Sequence, residues 1–200
     1  MAYATLAELR AYLELEDGSY TSEDDLLTNF IGIAQQAIDL WTGTTFEWAG
    51  AAEDRQFDSY RDVSGLTLFL SRDATDITAV ENGDGSTIGS TLYTVWPPND
   101  PPYREIRLRR SAGVVWRPSG NGDSEDAITV TGKWAYSETA DALIKHCTIR
   151  LAAWLYRQRG AQGGSDQIIT SQDGTKVYPS RLPSDIEQLL KPYKRRGNSL

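Results

Sequence analysis

The chain reads as an α+β protein, a small helical bundle of about four helices with a large inserted antiparallel β module. Three observations point there. Apolar residues recur every three or four positions from Leu27 to Trp41 and again from Ala140 to Leu155, the spacing of one buried helix stripe. Between Phe46 and Tyr136 the pattern changes to short β-branched and aromatic runs separated by turn residues. A length of 200 residues, 40% hydrophobic and 24% charged, is ordinary globular composition and holds one core plus an insertion. The expected organisation is a helical core over 1–46 and 137–200, with a small hairpin near 168–178, and a β module over 47–136.

Taken in order, Thr5-Leu6-Ala7-Glu8 is a capping box that opens a short helix to about Leu15, ended by Asp17-Gly18. Ser22, with Asp25 three residues on, starts a second helix. Its stripe is Leu27, Phe30, Ile31, Ala34, Ile38 and Trp41, and Gly43 stops it as a left-handed cap. Strands are expected at 56–60, 66–70, 77–81, 91–96, 104–109, 114–117 and 127–134. Asn82-Gly83-Asp84-Gly85 is a tight hairpin turn, and the proline-rich 97–102 segment is a loop. Ser137 is expected to cap a helix from about Glu138 to Arg159, with Ala140, Ile144, Cys147, Leu151 and Trp154/Leu155 on its seam and Gly160, Gly163 and Gly164 ending it. Asp173-Gly174 turns the small hairpin. Ser184 and Glu187, after Pro183, form another capping box for a helix to about Tyr193.

Composition weighs against most chemistry. The N-terminus lacks the basic and apolar regions of a signal peptide, and no apolar run reaches the roughly 20 residues needed to span a bilayer. A single cysteine, Cys147, allows no intrachain disulfide and no cysteine-based zinc cluster. His146 is the one histidine; adjacent to Cys147 on a helix, it points about 100° away from it and is expected to border the buried seam or to cap a contact. The 82–85 loop lacks the spaced carboxylates of a calcium loop. There is no nucleophile elbow, no separate base for a Ser or Cys, and no phosphate-binding glycine loop. Glycosidase-like paired carboxylates remain open on spacing alone. No catalytic, cofactor or metal residue is expected.

Charge is distributed unevenly. Residues 1–60 hold twelve acids and two bases, a balance of −10; residues 61–139 carry −3 and residues 140–200 carry +5. Glu23, Asp24 and Asp25 suit the positive end of the second helix's dipole. On the strand near 104–109, Arg107 and Arg109 are expected on one face, apart from Tyr103, Glu105 and Arg110, with Ile106 and Leu108 buried. That face meets either an acidic neighbour or plain solvent. The four tryptophans of the β module, Trp48, Trp96, Trp116 and Trp134, serve either as core or as a binding platform. A row of exposed Trp96, Trp116 and Trp134 would favour the platform.

The stretch from Ala37 to Phe46, AIDLWTGTTF, resembles the IDxxTGxxF signature of head-to-tail connector (adaptor) proteins of long-tailed bacteriophages. The segment from Ile128 to Tyr136 and the helix through Leu151-Ala152-Ala153-Trp154-Leu155-Tyr156 are also similar to that family, although this chain has Ala135 where a glycine often stands. The resemblance implies a virion protein, made in the host cytoplasm, that forms a ring of usually twelve copies beneath the portal. The ring continues the DNA channel without gripping the DNA and offers the attachment surface for a stopper or tail-completion protein. Being itself a stopper or tail-completion protein is the nearest alternative. By analogy, Lys191, Tyr193, Lys194, Arg195 and Arg196 dock on the portal. The charge pattern itself offers Arg107 and Arg109 as partners of Glu23, Asp24 and Asp25 on a neighbouring subunit. The family brings no catalytic residue and no cofactor.

Overall fold

The computed structural model describes residues 2–15, 23–48, 50–158 and 182–195, together with the backbone of two short strands at 169–170 and 176–177. Two compact units are present: Thr44–Thr139, and Ala2–Gly43 with Ala140–Arg195.

The second of these is helical. Helix α1 (Leu6–Tyr12) starts on the expected box: the Thr5 hydroxyl accepts the Glu8 amide at 3.2 Å, and the Glu8 carboxylate accepts the Thr5 amide at 2.8 Å. It ends at Tyr12, earlier than expected, and both Asp17-Gly18 and Ser22 lie outside the described residues. Helix α2 (Asp24–Thr42) begins at Glu23 without a side-chain cap bond. It buries Leu27, Ile31, Ala34 and Ile38, with Phe30 and Trp41 half-buried beside them. Gly43, at φ +71°, caps it and donates its amide to the Asp39 carbonyl at 2.8 Å.

Helix α3 (Ala142–Gln158) starts later than the sequence suggests. The Ser137 hydroxyl is taken up by the carbonyls of Phe46 and Thr139, whereas Asp141 accepts the Ile144 amide at 2.9 Å and so caps the helix. The α3 face that packs along α2 buries Ile144, Cys147, Thr148, Leu151, Ala152 and Ala153; its small alanines permit close approach. His146 is exposed and does not border this seam, because its neighbour Cys147 takes the inward direction. The glycines at 160, 163 and 164 lie outside the described residues. Short strands β8 (Ile169–Thr170) and β9 (Lys176–Val177) pair antiparallel, as a hairpin there requires, while Asp173-Gly174 lies outside the described residues. Helix α4 (Ser184–Leu190) buries Ile186 and Leu190 and runs on into a 3₁₀ turn, Lys191–Tyr193. Its expected capping box does not form: Pro183 occupies the cap position, which makes Ser184 the first helical residue rather than the cap.

The β unit has two antiparallel sheets. Strands β1 (Glu53–Phe57), β7 (Ile128–Lys133) and β4 (Asp76–Glu81) form one, in that order; β2 (Val63–Ser64), β3 (Thr67–Ala74), β6 (Tyr103–Leu108) and β5 (Tyr93–Trp96) form the other. Their inward residues, among them Phe57, Leu68, Leu70, Val80, Ile106 and Val130, make one core. Trp116 and Trp134 complete it, each giving its indole N–H to a backbone carbonyl: Leu66 at 3.1 Å and Glu53 at 2.8 Å.

Two expected strands are corrected. Residues 58–60 form a turn after β1, because the Asp58 carboxylate accepts the amides of Tyr60 and Arg61 at 2.7 and 2.9 Å. Residues 114–117 join no ladder. Their backbone is held instead by buried Asn82, whose side chain donates to the Val115 carbonyl at 2.9 Å and accepts the Arg117 amide at 2.8 Å. Asn82 belongs to the expected turn after β4, where Gly85 has φ +76°. Gly83 lies so close beneath 117–118 that a Cβ there would stand 2.2 Å from the Arg117 carbonyl oxygen.

Candidate interaction surfaces

Three charged groups are candidates, and the fold treats their members differently. At the start of α2, Glu23 accepts the Tyr156 hydroxyl at 2.6 Å, and Asp24 pairs with the buried Arg10 at 3.0 Å. These contacts tie α2 to α3 and α1. Asp25 is exposed. The acidic cluster is thus two internal ties and one outward charge.

On β6, Arg107 and Glu105 share a face, since residues two apart on a strand point the same way. The Arg107 guanidinium bonds the Glu105 carboxylate at 2.6 Å and stacks 4.1 Å from the centre of the Trp96 ring. This corrects the expected separation of Glu105 from Arg107. Arg109 is exposed but lies beyond the strand end at Leu108, leading into a 3₁₀ turn at Arg110–Ala112, so it does not extend the Arg107 face. Ile106 and Leu108 are buried as expected. Trp96 is exposed, while Trp116 and Trp134 are core residues, so the three do not form an exposed row.

The C-terminal group is brought back against the helical unit. The Tyr193 hydroxyl donates to Asp141 at 2.6 Å, the Lys194 ammonium lies 5.0 Å from the centre of the Trp41 ring, and the Arg195 amide donates to the Thr42 carbonyl at 2.8 Å. Arg150 and Asp185 form an ion pair that joins α3 to α4. Lys191 and Lys194 remain exposed, and Arg196 lies outside the described residues.

Titration follows the same contacts. The Thr5 amide, then the Lys145 ammonium at 2.9 Å, holds the Glu8 carboxyl below its ordinary value. Burial pushes the Cys147 thiol up to about 11, which makes it inert packing rather than a nucleophile. Among the described residues no cluster of His, Cys, Asp or Glu is placed to hold a metal ion, and no helix is long and apolar enough to cross a membrane.

One surface escaped the sequence reading. Leu26, Ile33 and Leu40 on α2 are 36%, 49% and 85% exposed, and they lie on the side away from the buried stripe. Their seven-residue spacing was the available signal, masked by the stronger stripe one position along.

No family model matches the chain, and no curated protein does. Solved structures do. A chain in the neck of an empty gene transfer agent particle, computed with C6 symmetry, superposes with a TM-score of 0.61 at 16% identity, covering 94% of this chain and 88% of that one. A chain in the neck of the native particle, computed with C12 symmetry, gives 0.58 at 16% identity over 94% and 87%. A third, from the virion of the native gene transfer agent particle, gives 0.56 at 17% identity over 94% and 88%. This chain therefore has the fold of neck components of phage-like particles, which agrees with the resemblance to connector proteins.

Proposed function

We propose that this chain is a structural subunit of the neck of a phage-like particle, where copies of it form the adaptor ring between portal and tail. The observation that carries this reading is a fold shared over 94% of the chain with neck chains of gene transfer agent particles. The sixfold and twelvefold symmetry of those necks supports a ring, with twelve copies expected. The role is mechanical and non-enzymatic, and the protein acts within the virion after synthesis in the host cytoplasm.

Charge supports a conduit. Phosphate contacts to Lys and Arg accumulate quickly, so a channel wall built from the acidic segment 1–60 lets DNA pass without holding it. For the portal contact we propose Lys191, Tyr193, Lys194, Arg195 and Arg196. The Tyr193 and Arg195 bonds fix the position of this segment, which keeps Lys191 and Lys194 presented at one place. Between neighbours, exposed Asp25 and Arg109 are the charges proposed to pair, since Glu23, Asp24 and Arg107 are engaged within the fold by Tyr156, Arg10 and Glu105. A stopper or tail-completion protein is the distal partner. Electron microscopy of the purified chain mixed with its portal tests the reading. A ring seated on the portal is expected; a chain that neither rings nor binds the portal refutes it. Charge reversal at Lys191 and Lys194 should weaken attachment, and unchanged attachment would remove the docking assignment alone.

A further inference from the structure

We infer that Arg55 and Arg72, beside the Trp134 end of the β unit's core, form a site for a single oxyanion, a carboxylate or a phosphate group. Arg55 stands two residues before Phe57 on β1, so it points with that core residue toward the other sheet. An apolar side chain would suit the position. Instead its guanidinium lies 5.1 Å from the centre of the Trp134 ring, which is itself fixed by the indole bond to the Glu53 carbonyl. Arg72, on β3 of the other sheet, reaches the same stretch of chain. Its Nη1 donates to the Thr45 hydroxyl at 3.4 Å, and the Thr45 carbonyl accepts the amide of Tyr136, two residues beyond Trp134. Two cations therefore converge beside residues 134–136.

Neither cation has an acid of its own. Among the described residues the Arg55 guanidinium makes no hydrogen bond or ion pair, and its Nε is buried without a partner. Arg72 has only the long bond to Thr45. Glu53 shares Arg55's face of β1 yet pairs with neither arginine. Asp73, next to Arg72, is buried and already holds the Thr44 hydroxyl at 2.9 Å and Arg104 at 3.0 Å. Arg107, likewise half-buried, shows the contrast: it carries Glu105 beside it. Burial, and then the nearby Arg72 charge, hold the Arg55 guanidinium below its ordinary value, so its charge is kept at a cost.

That cost selects the ligand. An anion at the terminal nitrogens of Arg55, met from the other side by exposed Arg72, turns a repulsion into two attractions. The planar fork of a guanidinium takes a two-oxygen group through parallel hydrogen bonds, which a halide cannot reproduce. Two sources supply such a group: an oxyanion free in solution, or an acidic side chain of a second copy of this chain, whose net charge is −8. The site stands apart from the neck reading, and its failure would leave that reading untouched.

Titration of the full chain with inorganic phosphate at constant ionic strength tests this, with chloride as the matched control. Arginine Nε–Hε NMR signals give the readout, the Arg55 signal being assigned by its loss in Arg55→Lys, and thermal unfolding checks the fold. The Arg55 signal should move saturably with phosphate and not with chloride. Arg72→Gln alters an exposed side chain, so it should unfold at the wild-type temperature and bind phosphate at least about tenfold more weakly, the loss of one charge-assisted hydrogen bond. Phosphate affinity that falls as protein concentration rises assigns the oxyanion to a second copy; affinity independent of protein concentration assigns it to solution. Both results support the site. A shift that never saturates, that chloride reproduces, or that is unchanged in folded Arg72→Gln overturns it. Should Arg72→Gln fail to fold, Arg72→Lys, which keeps the charge and loses the fork, decides by the same weakening.

Discussion

Asn82→Ala should loosen the segment from Val114 to Arg117 without touching any core aliphatic residue. The Asn82 side chain makes three bonds to backbone: it donates to the Val115 carbonyl at 2.9 Å and accepts the amides of Arg117 at 2.8 Å and Gly83 at 3.1 Å. A net hydrogen bond contributes about 1 kcal/mol, and a buried group left unmatched costs about 1–3. The 114–117 segment joins no strand, yet it carries Trp116 into the core, so it cannot simply move out to water. The loss should therefore be about 2–3 kcal/mol. With a urea slope of about 2 kcal/mol per molar, the midpoint would fall by about 1–1.5 M. Tryptophan fluorescence follows the transition, and hydrogen exchange of the Arg117 amide reads the bond itself. That amide should exchange much faster in Asn82→Ala. Unchanged protection of Arg117 together with a midpoint within about 0.2 M of wild type would refute the reasoning.

Other outcomes follow from single contacts. Thr5→Ala should cost about 1 kcal/mol by removing the α1 cap, measured by chemical unfolding. The lowered Glu8 carboxyl contributes stability that is present above its ordinary value of 4.5 and is lost as pH falls through the lower folded value. The Glu8 side chain is 35% exposed, and solvent screening of such a site limits the effect to about a few tenths of a kcal/mol; the stability gap between wild type and Glu8→Gln should narrow in acid. Gly132→Ala should cost about 1–3 kcal/mol, because a Cβ would meet the Asp76 carbonyl at 2.5 Å and the central strand β7 has no room to retreat; an unchanged thermal midpoint would contradict this. At pH 8 the Cys147 thiol should react with maleimide only as fast as the helical unit opens, and rapid labelling of the native protein would show that α3 is misplaced.

What the sequence revealed depended on how far away each cause lay. Thr5 and Glu8, the α2 stripe and the Gly43 cap are decided within one helical turn, and all three were legible. The 114–117 run has strand-like residues, but its pairing is decided by Asn82, more than thirty positions earlier, which composition cannot show. Ser137 and Asp141 are both good caps. The choice turned on Phe46, ninety-one residues away, taking the Ser137 hydroxyl. Ser184 lost its cap role to Pro183, a contest that a motif alone does not rank. For the candidate surfaces, residue type located the charges but not their partners: Glu23 and Asp24 are drawn inward by Tyr156 and Arg10.

The order of the strands bears on how such a protein is kept in solution. In the three-stranded sheet the outer strands are β1, which carries Glu53, Asp54 and Arg55, and β4, which carries Asp76 and Glu81 and whose outer side is partly covered where Glu81 bridges Thr87 and the Ile88 amide donates to the Val80 carbonyl at 2.8 Å. In the four-stranded sheet they are β2, two residues long, and β5, four residues long and followed directly by Pro97 and Pro98. Charged, very short or proline-bounded margins discourage strand-to-strand addition. Under the proposed ring role, many copies would stand at high local concentration before the assembly exists. Margins of this kind deny them the indiscriminate route of fibril growth, leaving side-chain surfaces to decide which copies meet.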